Sequence, residues 1–355
     1  MAASSSRNAD MAEWLHGFTT DPDVFLHRLD TVNRRVLLLR LGKDRIRQAA
    51  FLDERALAGD EPGAWLPLAA LLESGYRNAG PQGVILHCGH CGSTLITRLL
   101  GELPGVRVLR EPLALQALAM EARLGGTPHA RLTADEFDRM LTLTQSAYAK
   151  APADVTSVIV KHTSFTANLA VTLLNGARPP AFLCLWIPLP EYLAIMLREE
   201  SLREGIRQLA SQWIYDLERE LGAAAPLLAE LSDAELAALN WTAAQLAFAR
   251  ASIQPGARML AWEFADFLAE PAARLGELAH HFEPDVNERE VNDALASTWM
   301  RRYAKDPRYP FDAGTRAREL AAASRRFAEE ISIGTDFARN LWDRLALAGA
   351  PAAKP

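Results

Sequence analysis

"GVILHCGHCGSTLITRLL", residues 83–100, decides the fold. Val84-Ile85-Leu86 is a short apolar run of the kind that buried parallel strands show. Beyond a glycine-rich turn, Leu95, Ile96, Leu99, Leu100 and Leu103 recur at helical spacing, so a helix begins near Ser93. Pro104-Gly105 ends it, and Val106-Arg107-Val108-Leu109 reads as a second strand. Strand, helix and strand are expected to close one compact βαβ unit with a right-handed crossover.

Outward from this unit the pattern repeats. Val158-Ile159-Val160, Phe182-Leu183-Cys184-Leu185-Trp186 and Met259-Leu260-Ala261-Trp262 read as further short strands, with helical stretches between them. Thr133 with Glu136, and Ser232 with Glu235, carry the spacing of a capping box. Short strands alternating with longer helices predict an α/β fold, a parallel sheet with helices on both faces. Before it, Val36-Leu37-Leu38-Leu39 reads as a strand and residues 44–50 as a helix. Glycine and proline mark loops at 59–63 and 75–83. The expected organisation is a segment over 1–80 packing on a main α/β domain over 81–350.

At 355 residues and 49% hydrophobic, the chain is long enough to bury a large core. A net charge of −6 gives no support to nonspecific nucleic-acid binding, which wants a basic face, and leaves room for a local basic pocket. Nor does any apolar run approach the ~20 residues that span a bilayer. The N-terminus lacks a basic region followed by an apolar core. Three cysteines make no extracellular disulfide framework. The expectation is a cytoplasmic protein acting on a small molecule, with neither nucleic acid nor a membrane as partner.

The turn itself, Cys88-Gly89-His90-Cys91-Gly92-Ser93-Thr94, admits three chemistries. C-x-x-C at a strand-to-helix junction suits a thiol-disulfide oxidoreductase, because a helix N-terminus lowers a thiol's pKa. His87, Cys88, His90 and Cys91 are metal-ligand types, but a structural zinc site normally closes with a second, distant pair, so no metal is expected. An anion cradle uses more of the residues. Gly89 and Gly92 permit a tight turn, and Ser93 and Thr94 place hydroxyls beside the unpaired N–H groups of a helix start. A plain turn with Ser93 as N-cap remains the structural alternative. The loop is not a nucleotide-triphosphate loop, which needs a lysine between its last glycine and the hydroxyl residue.

His90-Cys91-Gly92-Ser93-Thr94-Leu95, followed by Val106-Arg107-Val108-Leu109-Arg110-Glu111-Pro112, resembles the 5′-phosphosulfate loop of sulfotransferases, in particular a bacterial group of sulfotransferase-like proteins. The likeness runs more loosely from residue 83 to 310. It includes the strand-end Val160-Lys161-His162-Thr163, the later Leu260-Ala261-Trp262-Glu263 and the leading Phe51-Leu52-Asp53-Glu54-Arg55. The resemblance implies a P-loop, sulfotransferase-like α/β fold. It further implies transfer of a sulfuryl group from 3′-phosphoadenosine-5′-phosphosulfate to a small hydroxyl or amine acceptor. Gly89 through Thr94 would hold the donor, and Glu111 would take the acceptor's proton. Lys161 would stabilise the transferring group, a role in which His162 is a second candidate. A charge at the carboxyl end of a parallel strand sits where α/β sheets bind ligands.

The chain departs from the family pattern in two places. His90 stands where the loop usually has Lys or Arg. The family's 3′-phosphate residues are also missing, since the matching stretch is Pro188-Leu189-Pro190 with Met196. Arg198 and the cluster of Arg301, Arg302 and Lys305 are the candidates for that charge. Absence of the usual ligands leaves a non-transferring nucleotide- or phosphate-binding protein as a further alternative.

Overall fold

The computed structural model describes residues 2–56, 61–176, 178–222, 225–283, 285–306 and 308–351. In chain order the first elements are helix α1 (Ala2–Thr20), strands β1 (Val24–Asp30) and β2 (Arg35–Arg40), helix α2 (Lys43–Gln48), strand β3 (Gly63–Pro67) and helix α3 (Leu68–Glu73). The central unit then runs β4 (Gly83–His87), α4 (Ser93–Leu100), β5 (Val106–Arg110), α5 (Ala114–Leu124), α6 (Ala134–Tyr148), β6 (Ser157–Lys161), α7 (Ala170–Leu174) and β7 (Ala181–Trp186). After it come α8 (Leu189–Arg198), α9 (Glu200–Leu221), α10 (Asp233–Ser252), β8 (Met259–Glu263), α11 (Phe264–Ala269), α12 (Pro271–His281), α13 (Glu288–Ala296), α14 (Ala313–Arg326) and α15 (Ala328–Leu347).

Strands β4 to β8 form one parallel sheet in the order β5-β6-β4-β7-β8. Their side chains are almost entirely buried from β4 to β7, as expected for strands covered on both faces. Helices cover the sheet in two groups. In one, α4 packs with α12 and α13; in the other, α10 packs with α8, α9 and α15. Both expected capping boxes form, at the starts of α6 and α10.

One expectation needs correction. β4 and β5 are not neighbours, because β6 is inserted between them and pairs with both. Sequence adjacency gave the strands and their helix but not their lateral order. The inserted strand makes β4 the place where the order of connections reverses, flanked by β6 and β7. That is the switch point at which open α/β sheets leave a crevice beyond their carboxyl ends.

The leading segment holds more structure than its one recognised strand. β1, β2 and β3 form an antiparallel sheet of their own. β1 escaped a period-two reading because a bulge between Leu26 and Arg28 shifts its register, leaving His27 buried beside Leu26. β3 is five residues long and ends at Pro67. Of the loop at 59–63, Gly59 lies outside the described residues and Gly63 opens β3.

This small sheet packs on α5 and α6 through β1. The Tyr148 hydroxyl donates to the Leu26 carbonyl at 3.0 Å, and Lys150 Nζ donates to the carbonyls of Phe18, Asp21 and Val24 at 2.6, 3.0 and 2.8 Å. Beyond α2 the chain crosses the end of β5. Arg110 donates to the carbonyls of Arg47 and Ala49 at 3.2 and 3.1 Å, and Arg98 donates to that of Gln48 at 2.8 Å. Cations at a helix C-terminus meet its unpaired carbonyls, so these two buried arginines fix where α2 stops. The Leu52 N–H then donates to the Arg110 carbonyl at 2.6 Å, which sets Phe51 and Arg55 over the carboxyl ends of the strands.

Candidate active site

A cavity of about 510 Å³ opens at those strand ends, over the switch point. Its floor is made by the loop after β4, the residue after β5 and the last residue of β6. Phe51 and Arg55 form one wall, and residues of α8, α11, α14 and the 302–312 segment form the others.

The loop is held in a conformation that its sequence makes possible. Gly89 and Gly92 have φ of 95° and 75°. At Gly92 the vacant Cβ position lies 2.0 Å from a ring carbon of Phe264, so close packing under the loop demands glycine there. His90 also has a left-handed φ, 54°, an uncommon conformation for a residue with a side chain. Gly92 is the N-cap of α4 and offers no side-chain cap. Among the described residues, the N–H groups of Thr94 and Leu95 find no backbone acceptor, since the first helical bond is Ile96 N–H to the Gly92 carbonyl at 3.2 Å. Unfilled N–H groups at a helix start, carrying the positive end of its dipole, are a fitted seat for phosphate or sulfate oxygens.

Beside this seat stands an ion pair. Lys161 Nζ lies 2.5 Å from Glu111 Oε1 and donates to Thr94 Oγ1 at 3.2 Å. Glu111 has a left-handed φ of 56°, and its N–H donates to the Lys161 carbonyl at 2.7 Å. The ladder that pairs Arg110 with Lys161 is thereby extended by one residue before the chain turns. Arg55 Nη2 and His87 Nε2 each lie 3.9 Å from the Glu111 carboxylate. Arg55 is otherwise engaged by Asp53, with Nε 3.0 Å from Oδ1, and it lies over the Phe51 ring.

Lys305 makes no ion pair among the described residues. Burial and then the neighbouring Lys161 push its pKa down, against a smaller upward pull from Glu111. Two ammonium groups beside a helix start make this cavity a favourable place for an anion. His87 accepts the Gly89 N–H through Nδ1 at 3.1 Å, which places its own proton on Nε2. Nε2 is buried and, among the described residues, makes no hydrogen bond. Burial, then Lys161 and Lys305, hold the imidazole well below its ordinary pKa, with the His162 backbone carbonyl pulling weakly the other way.

The structure brings Gly89, His90, Cys91, Gly92, Ser93, Thr94, Glu111, Lys161 and Arg198 to this one cavity. His90 does not replace the cation that the loop lacks. Burial, followed by Lys305, Arg198 and Lys161, lowers its pKa to about 3 and keeps it neutral. Arg198 sits at the rim, paired with Glu199 at 2.9 Å and Glu319 at 3.3 Å.

Two expected residues lie elsewhere. His162 follows Lys161 directly, so strand alternation sends it away from the cavity. It is fully buried against Thr166, with Nδ1 3.2 Å from Oγ1, and burial lowers its pKa to about 3. Arg301 is exposed and does not line the cavity, whereas Arg302 and Lys305 do. Arg301 closes a short 3-10 turn, and beyond it an isolated bridge pairs Arg302 with Pro310.

Sequence reasoning did not give His87 a place in this site, nor Phe264. The signal for His87 was its position at the end of the strand feeding the loop. Nothing local marked Phe264, whose role comes from contact with Gly92 across the fold.

The two thiols lie inside the loop. Cys88 and Cys91 are both buried, donating to the carbonyls of Gly89 and Leu185 at 3.5 and 3.4 Å. Burial raises the Cys88 pKa well above the ordinary thiol range, whereas Cys91, despite its burial, is lowered by the Cys88 thiol and by the charge of Lys161. Among the described residues no group of three or more His, Cys, Asp or Glu could hold a metal ion. No helix among them is long and apolar enough to cross a membrane.

No protein-family model matches the chain, and no curated protein matches it. Among solved structures it is similar to a sulfotransferase domain from the curacin biosynthetic pathway, at 14% identity and a TM-score of 0.38, over 71% of this chain and 98% of that one. It is also similar to a sulfotransferase from Alicyclobacillus acidocaldarius, at 13% identity and a TM-score of 0.36, over 78% and 98%. A third is the sulfotransferase domain of the Synechococcus PCC 7002 olefin synthase, at 14% and 0.34, over 71% and 96%. The functional reading rests on the residues of the cavity.

Proposed function

We propose that this protein is a sulfotransferase-like enzyme that transfers a sulfuryl group from 3′-phosphoadenosine-5′-phosphosulfate to the hydroxyl or amine of a small acceptor. The observation that carries the reading is one juxtaposition. The helix start at Thr94, the Lys161–Glu111 pair and Lys305, which makes no ion pair among the described residues, line one cavity.

The bound donor supplies an activated sulfuryl group whose bond to the bridging phosphate oxygen breaks as the acceptor's oxygen or nitrogen bonds to sulfur. The loop N–H groups and Thr94 hold the phosphosulfate oxygens at the helix start. Lys161 sits within reach of both the seat and Glu111, so it can leave the carboxylate and meet the negative charge that develops on the leaving oxygen. Glu111, released from Lys161, takes the proton that the acceptor loses. Lys305, with Arg302 and Arg198 further out, meets the remaining phosphate charge in place of the family's usual residues.

Thermal unfolding with adenosine 3′,5′-bisphosphate tests this reading. A ligand that binds only the folded chain at a hundred times its dissociation constant adds about 2.7 kcal/mol of stability. The expected result is a concentration-dependent rise in Tm. An unchanged Tm at millimolar bisphosphate removes the donor assignment.

A further inference from the structure

Resting on the assignment of Glu111 as base, we propose that His87 is a positioning residue: its Nε2–H takes hold of the Glu111 carboxylate when the donor draws Lys161 away. Glu111 is bound by Lys161 at 2.5 Å, a close ammonium contact that opposes proton uptake. Transfer requires that contact to open. Glu111 would then be a buried carboxylate without its main partner, at a backbone position already in the left-handed region.

The groups facing this carboxylate are Lys161 from β6, Arg55 from the leading segment, His87 from β4 and Lys305 from the 302–312 segment. Arg55 is already held by Asp53. Lys305 faces the same anion seat as Lys161. His87 is different in kind, because its Nδ1 is fixed by the Gly89 N–H and its buried Nε2–H makes no hydrogen bond among the described residues. The 3.9 Å from Nε2 to Glu111 Oε1 must shorten to about 2.9 Å for a hydrogen bond, a closure of roughly 1 Å. A neutral N–H aims a carboxylate without adding the full charge of an ammonium or guanidinium beside it. Because the same ring accepts the first N–H of the anion loop, it also ties the base to the loop that holds the donor.

Imidazole ¹⁵N–¹H spectra of the full chain, with and without saturating adenosine 3′,5′-bisphosphate, test the proposal. His87 is assigned by the resonance that His87→Gln removes. The ligand-free protein is expected to show the neutral Nε2–H tautomer. Bisphosphate is expected to move that N–H downfield in the wild type and to leave it in place in Glu111→Ala. Glu111→Gln, which keeps the side chain's shape with a weaker acceptor, is expected to show a reduced movement and serves if Glu111→Ala does not fold. An Nδ1–H tautomer overturns the proposal, as does a full-size movement in either Glu111 variant. So does a bound bisphosphate, seen in the loop amides, that leaves His87 unmoved. Bisphosphate that moves no loop amide overturns the donor assignment and this inference together, which separates the two failures.

Discussion

The floor and the rim of the cavity are both rich in charge, but they are built differently. On the floor, Lys161 and Glu111 have side chains 1% and 9% exposed and sit where two paired strands end in register. At the rim, Arg198 is 40% exposed and shares itself between Glu199 and Glu319, which are more open still. The floor pair is fixed by the sheet and is largely shielded from water. The rim pairs sit in water, where each partner has a substitute. Geometry that the backbone enforces is the part suited to chemistry, and the rim is the part free to change with the molecule it admits.

The contrast predicts unequal effects. Lys161→Met strands a buried carboxylate, and breaking such a pair costs about 3–5 kcal/mol. Arg198→Ala removes exposed contacts worth about 0.2–1 kcal/mol. Urea unfolding of the two variants checks both figures. Equal losses would erase the distinction between floor and rim.

Legibility in the sequence followed the same division. The strand, turn and helix of residues 83–100 were readable because buried parallel strands are short apolar runs and because glycine and hydroxyl residues cluster at the turn. Glu111 and Lys161 stood out as charges at strand ends. The insertion of β6 between β4 and β5 had no local signal, since lateral order depends on contacts between distant segments. The antiparallel sheet of the leading segment was hidden by the β1 bulge and the shortness of β3. His162 was misplaced by one residue of strand alternation. Arg301 ends a short 3-10 turn just outside the cavity, one residue before the lining begins at Arg302.

A smaller effect comes from the imidazoles under and behind the floor. Burial lowers the pKa of both His90 and His162 to about 3 in the folded chain, below the ordinary value of 6.5. Between those values the unfolded chain binds more protons than the folded one, so this stability is present above pH 6.5 and is lost as pH falls towards 3. His162→Gln, if it folds, is expected to reduce the fall in stability between about pH 6.5 and 5.5 by roughly 1 kcal/mol. An unchanged slope contradicts a buried neutral imidazole at that position.

The most direct measurement is turnover. Purified wild type and Glu111→Gln are incubated with 3′-phosphoadenosine-5′-phosphosulfate and a panel of small alcohols, phenols and amines, and release of adenosine 3′,5′-bisphosphate is followed with sulfated product. The account predicts acceptor-dependent release by the wild type. It predicts a rate lower by about 10²–10⁴-fold in Glu111→Gln, with bisphosphate affinity retained. Release at the wild-type rate by Glu111→Gln, or bisphosphate binding by the wild type with no transfer to any acceptor, contradicts it.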